Sequence, residues 1–86
     1  MGAIHGTVLD AAGRPVIAAR VFYLAGPDPL PEVAALTDAD GRFALAAARA
    51  GRYRLGGASD AAGAGEAEVD VEVGSGDARV VIRLRP

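Results

Sequence analysis

The apolar residues of this chain recur with a period of two rather than 3.6. Ile4, Gly6 and Val8 alternate with His5, Thr7 and Leu9; Val69, Val71 and Val73 alternate with Glu68, Asp70 and Glu72; Val80, Ile82 and Leu84 alternate with Val81, Arg83 and Arg85. Such alternation belongs to strands that rest one face on a core and turn the other to water. Turn signals cut it into short pieces: Asp10 to Gly13 before Arg14-Pro15, Pro27 to Pro31, Asp38 to Gly41, Ala50-Gly51, Gly56 to Gly65, and Gly74 to Asp77. Seven strands are predicted, near 3–10, 16–24, 33–37, 42–47, 52–57, 66–73 and 79–85. Helix competes only over Ala44 to Ala50, which is rich in alanine but too short to sustain itself between Gly41 and Gly51. The predicted fold class is all-β, with seven strands.

A chain of 86 residues has room for one small domain, residues 1–86, burying roughly 60 to 65% of the surface that its unfolded form exposes. Without cysteine there is no disulfide, thiol nucleophile or thiolate metal cluster, so an aliphatic core must supply the stability. The net charge of −2 offers no basic field, and neither a nucleic-acid partner nor an anionic membrane surface is expected. No apolar run approaches the ~20 residues of a membrane helix, so no membrane insertion is expected, and the opening Met1 to His5 lacks the pattern of a signal peptide. All nine cationic residues are arginine, and the absence of lysine and asparagine excludes an isopeptide cross-link between them.

Asp-x-x-Gly occurs at Asp10, Asp38 and Asp60, at unequal intervals that do not make a repeat. The pair Asp38 and Asp40 invites a calcium reading. An EF-hand loop needs oxygen ligands at positions 1, 3 and 5, glycine at 6 and glutamate at 12. With Gly41 at position 6, positions 1 and 12 are Leu36 and Ala47; with Asp38 at position 1, position 6 is Phe43. Both registers fail, and no metal or cofactor is predicted. Turn chemistry explains the motif: the aspartate caps the following amides and the glycine takes positive φ. On that ground alone Gly41→Val should cost about 1–3 kcal/mol.

The string Gly6 to Asp10, Gly13-Arg-Pro-Val16, Ala19-Arg-Val21, Thr37 to Phe43, Leu45, Gly51 to Leu55, and a closing strand with Ile82 and Leu84 resembles the carboxypeptidase regulatory-like domain family. The resemblance covers nearly the whole chain and implies a seven-stranded antiparallel β-sandwich of the Ig-like or transthyretin-like, Greek-key kind, used as an accessory unit in peptidases, outer-membrane transporters and secreted or surface proteins. It therefore implies an extracytoplasmic setting, protein partners or parent-protein domains, and no catalytic residues. Most matching positions are turn and core residues, which specify a fold more than an act.

Three functional readings follow. The first is a non-catalytic accessory module that gives rigidity, spacing or an interaction surface to a larger protein. The second is a carbohydrate- or peptide-binding module using loops 26–32 and 56–65; Phe22, Tyr23, Phe43 and Tyr53 could supply stacking, but strand parity puts Phe43 with Leu45 and Tyr53 with Leu55 in the core. The third is a hydrolase. Hydroxyisourate hydrolases share the transthyretin-like fold and carry a histidine just before Val-Leu-Asp, a second histidine, an internal arginine and a terminal Tyr-Arg-Gly-Ser. Here His5 lies two residues further upstream of Val8-Leu9-Asp10, is the only histidine, and the chain ends Arg83-Leu-Arg-Pro86. His5, Ser59 and Ser75 form no evident triad, and Gly63-Ala-Gly65 lacks the frame of a phosphate loop.

Sequence adjacency also predicts a closing hairpin around Gly74 to Asp77, placing Glu72, Glu68 and Glu66 opposite Arg79, Arg83 and Arg85. Those arginines would then be neutralised at home.

Overall fold

The alternation resolves into seven strands: β1 (Gly2–Leu9), β2 (Arg20–Ala25), β3 (Ala34–Leu36), β4 (Arg42–Ala47), β5 (Gly51–Ser59), β6 (Gly63–Val71) and β7 (Asp77–Arg83). The computed structural model describes residues 2–27, 34–47, 50–71 and 77–86. One sheet has the order β4-β1-β7 and the other β3-β2-β5-β6. The all-β sandwich is as expected, with every pair antiparallel except β1 and β7, which run parallel. Over the described part of 44–50 the chain is strand through Ala47, so β pairing with β1 outweighs alanine's preference for helix.

The core lies where the inner faces meet. Ile4, Val8, Phe43, Leu45, Ile82 and Leu84 come from the three-stranded side; Val21, Tyr53, Leu55, Val69 and Val71 come from the other, and all are buried. Each fully buried aliphatic side chain contributes about 1.5–3 kcal/mol relative to exposure. The Tyr23 and Tyr53 rings meet at a centroid distance of 5.7 Å, tilted by 48°, and the Tyr23 hydroxyl donates to the Ala46 carbonyl, tying the two sheets together. One buried threonine closes the β1–β2 junction. The Thr37 hydroxyl donates to the Val16 carbonyl at 2.5 Å and accepts from the Ala19 amide at 2.9 Å. Those bonds, with Ala18 N–H to the Thr37 carbonyl at 3.1 Å, hold Ala18 at φ 58°. Residues 16 to 19 are therefore a knotted turn, and β2 begins at Arg20 rather than at Val16.

Two expectations fail. The glycine-rich stretch 56–65 is mostly strand: β5 runs to Ser59 and β6 restarts at Gly63, leaving only residues 60–62 as the turn. Its small residues serve close packing instead. A Cβ on Gly57 would lie 3.1 Å from Ile82 Cγ2, and one on Gly63 or Gly65 would overlap the Arg85 or Arg83 carbonyl oxygen. The predicted β6–β7 hairpin is also absent. β6 pairs with β5, whereas β7 pairs with β1 through Ala3↔Asp77 to Leu9↔Arg83. Both arrangements bury Ile82 and Leu84, so the alternation alone does not distinguish them. Glu72 and the predicted turn at 74–76 lie outside the described residues.

Candidate functional site

The outer face of the β4-β1-β7 sheet carries the most varied group of polar side chains among the described residues. Burial of Ile4 and Val8 turns His5 and Thr7 outward from β1. The register sets Thr7 between Arg42 of β4 and Val81 of β7, and His5 between Ala44 and Arg79. His5, Thr7, Arg42, Arg79 and Val81 thus line a shallow open trough whose floor is the backbone near Gly6, Phe43 and Val80. On the buried side of the same sheet the Phe43 ring lies against Gly6, where a side chain would have displaced it.

His5 Nε2 stands 3.7 Å from Asp77 Oδ2, with both side chains substantially exposed. The other Asp77 oxygen accepts the Ala3 amide at 3.3 Å. Among the described residues neither Arg42 nor Arg79 forms a close ion pair with a carboxylate, although the charge of Arg42 helps to lower the Asp38 pKa. The trough therefore presents two guanidinium groups, an imidazole and a hydroxyl, an arrangement suited to a small anion. Ser59 lies in the other sheet, and its Oγ accepts the Ala61 amide at 3.3 Å; Ser75 lies outside the described residues.

Two other aspartates, Asp10 and Asp38, are engaged in turns. Asp10 Oδ1 accepts the Ala12 and Arg14 amides, each at 2.9 Å, while Gly13 N–H closes the turn on the Asp10 carbonyl. Asp38 repeats the pattern with Asp40 and Arg42, again at 2.9 Å, and Gly41 closes it. The backbone amide of Arg42, then that of Asp40, holds the Asp38 carboxyl below its ordinary range. Asp38 is a turn cap, as its sequence context predicts. Asp60 departs from that pattern: its carboxylate lies 3.8 Å from Arg20, and Ser59 takes the capping role. Among the described residues no three His, Asp or Glu side chains gather as a metal site would require.

The predicted neutralisation of the β7 arginines is overturned. Glu68 and Asp70 of β6 face Arg54 and Arg52 of β5, at 3.8 and 2.9 Å. Arg79, Arg83 and Arg85 have no acidic partner among the described residues, because β7 belongs to the other sheet. The aromatics divide as parity predicts for Phe43 and Tyr53, both buried. Phe22 instead lies on the outer face of the four-stranded sheet, against Gly56 and beside Leu24.

The sequence profile of the carboxypeptidase regulatory-like domain matches residues 3–85. The chain belongs to that family. Among solved structures, this regulatory-like domain is similar to the 5-hydroxyisourate hydrolase of Klebsiella pneumoniae. They share 23% sequence identity and a TM-score of 0.64, over 100% of this chain and 91% of that one. At that identity the likeness is one of fold, and it places the domain in the transthyretin-like class. No curated protein matches the domain in sequence. In this regulatory-like domain Thr7, not His5, immediately precedes Val8-Leu9-Asp10. The trough became visible only with the pairing of β1 to both β4 and β7. Sequence reading singled out His5 but left Thr7, Arg42 and Arg79 unassembled, and the one available signal was that Thr7 shares a strand face with His5.

Proposed function

We propose that the chain is a non-catalytic accessory module that spaces and rigidly connects the segments on either side of it in a secreted or cell-envelope protein. The observation that supports this best is the parallel pairing of β1 with β7. First and last strands run side by side in one direction, so the chain enters at one pole and leaves at the other. Nine residue steps separate the level of Ala3 from that of Pro86 if the tail beyond Arg83 continues extended, a rise of roughly 30 Å at about 3.3 Å per residue. That agrees with the 35 Å long dimension of the molecule. Family membership and the use of Asp10, Asp38, Thr37 and Tyr23 as structural ties also favour a module whose polar groups serve the fold.

The test places spin labels on Gly2→Cys and Pro86→Cys. One narrow distance distribution near the module length is expected. A broad distribution, or one centred on a short separation, would refute the spacer. Catalysis is tested in parallel: hydrolysis of 5-hydroxyisourate should not rise above the uncatalysed rate, and a rise abolished by His5→Ala would overturn the non-catalytic reading. The alternative of a glycan or peptide site on loops 26–32 and 56–65 loses its second loop to β5 and β6, while 28–32 lies outside the described residues.

A further inference from the structure

We infer that the β1–β7 ladder is a mechanical clamp, so that the module bears tension applied along its length and does not merely fill distance. The inference rests on the spacer reading above and adds to it resistance to tension. Pulling the two ends apart draws β1 toward one pole and β7 toward the other. The strands are parallel neighbours, and the pull runs along them. Every bond between Ala3↔Asp77 and Leu9↔Arg83 is therefore loaded at once, in shear. Bonds at a strand end pulled crosswise would instead fail one after another, each at the small strength of a single hydrogen bond exchanging with water.

Three further features fit this role. β1 is the central strand of its sheet, so drawing it out also shears the antiparallel ladder to β4, from Gly2↔Ala47 to Thr7↔Arg42. Sliding is resisted by the core, because Ile4, Val8, Ile82 and Leu84 are fully buried and a one-residue slip would turn Ile4 and Val8 to water. Both ends of the ladder are fastened. At the entry pole Asp77 Oδ1 accepts the Ala3 amide at 3.3 Å. At the exit pole Leu84 N–H meets the Leu9 carbonyl at 2.8 Å, and Arg85 exchanges both backbone bonds with Ala64, at 2.9 and 3.0 Å. Force entering at Pro86 thus reaches β6 and β7 together, and the tail has little slack to peel.

Single-molecule pulling on the full chain tests this without a core substitution. One arrangement attaches handles at residues 2 and 86. The other attaches them at Ala11→Cys, an exposed turn residue just beyond β1, and at residue 86, so that the same ladder is opened crosswise from its exit pole. The chain has no native cysteine to interfere. The rupture force end to end should exceed the crosswise force at least about twofold, since shear engages several bonds together. Equal forces in the two geometries would overturn the clamp. If the spin-label distance were nonetheless single and narrow, the spacer would stand without it; a broad distance would remove the spacer itself.

Discussion

Gly41 and Gly13 end two turns of matching hydrogen bonding, yet they should respond very differently to an added methyl group. Gly41 has φ 73° and Gly13 φ 84°, so alanine at either site enters the left-handed region at about 1 kcal/mol or somewhat more. Around Gly13 nothing lies within 4 Å of the added Cβ. At Gly41 that carbon would sit 2.8 Å from the Val8 carbonyl oxygen, 3.0 Å from Pro15 Cβ and 3.1 Å from the Val16 nitrogen. These are backbone atoms and a rigid ring, with no flexible side chain to yield. Overpacking of that kind adds about 1–3 kcal/mol. Relief by shifting the turn would stretch the 2.7 Å bond from Val8 N–H to the Gly41 carbonyl, worth about 1 kcal/mol net. Gly41→Ala should therefore lose about 2–4 kcal/mol and Gly13→Ala about 1. Gly41→Val should lose at least as much as Gly41→Ala, more than positive φ alone implies. Urea unfolding of the three proteins, wild type and both alanine variants, gives the comparison directly. Losses at Gly41 and Gly13 that agree within 1 kcal/mol would show that the packing around Val8 and Pro15 does not set the cost.

Tyr23→Phe should cost about 1 kcal/mol by removing the hydroxyl that donates to Ala46. Burial, with the neighbouring Tyr53, raises the Tyr23 pKa. Its contribution is thus fully present below the ordinary tyrosine pKa and lost as pH rises through the folded value; melts across pH 9–11 should show a shallower alkaline decline for Tyr23→Phe. On the acid side, the Arg42 and Asp40 amides lower the Asp38 pKa, and the hydrogen bond from Arg52 lowers that of Asp70. Both contribute stability above the ordinary carboxylate range that is lost as pH falls through their lowered values, below about pH 4. Asp38→Asn keeps an acceptor oxygen without the titration, and its melting temperature should fall less steeply between pH 5 and 2. Calcium should leave the melting curve unchanged relative to chelator, and a shift of several degrees at millimolar calcium would reveal a site at Asp38 and Asp40.

Local rules were enough for much of this fold. Alternation identified Ile4, Val8, Ile82 and Leu84 as core, and Asp-x-x-Gly identified the turns at Asp10 and Asp38, because each depends on neighbours a few residues away. Partner choice was not legible. β7 offers the same inward face to β6 as to β1, and the acidic residues of β6 find arginines as readily on β5 as they would on β7. The run from Gly56 to Gly65 read as loop because glycine is the residue of turns; here it admits the backbone of residues 83 to 85, a reason visible only in three dimensions. The same limit hid the trough. Arg42 and Arg79 stand beside His5 and Thr7 only because β1 is paired on both sides.

The pairing of Arg85 with Ala64 also bears on how the molecule behaves among copies of itself. An unpaired sheet edge is a template for another strand, and β6 is the edge of the four-stranded sheet. The tail occupies that edge at Ala64, pressed close by Gly63 and Gly65. Opposite it, β3 is only three residues long. Removing residues 85 and 86 would uncover the backbone N–H and carbonyl of Ala64 near the start of β6. That end of the edge would then be open to a neighbour's strand.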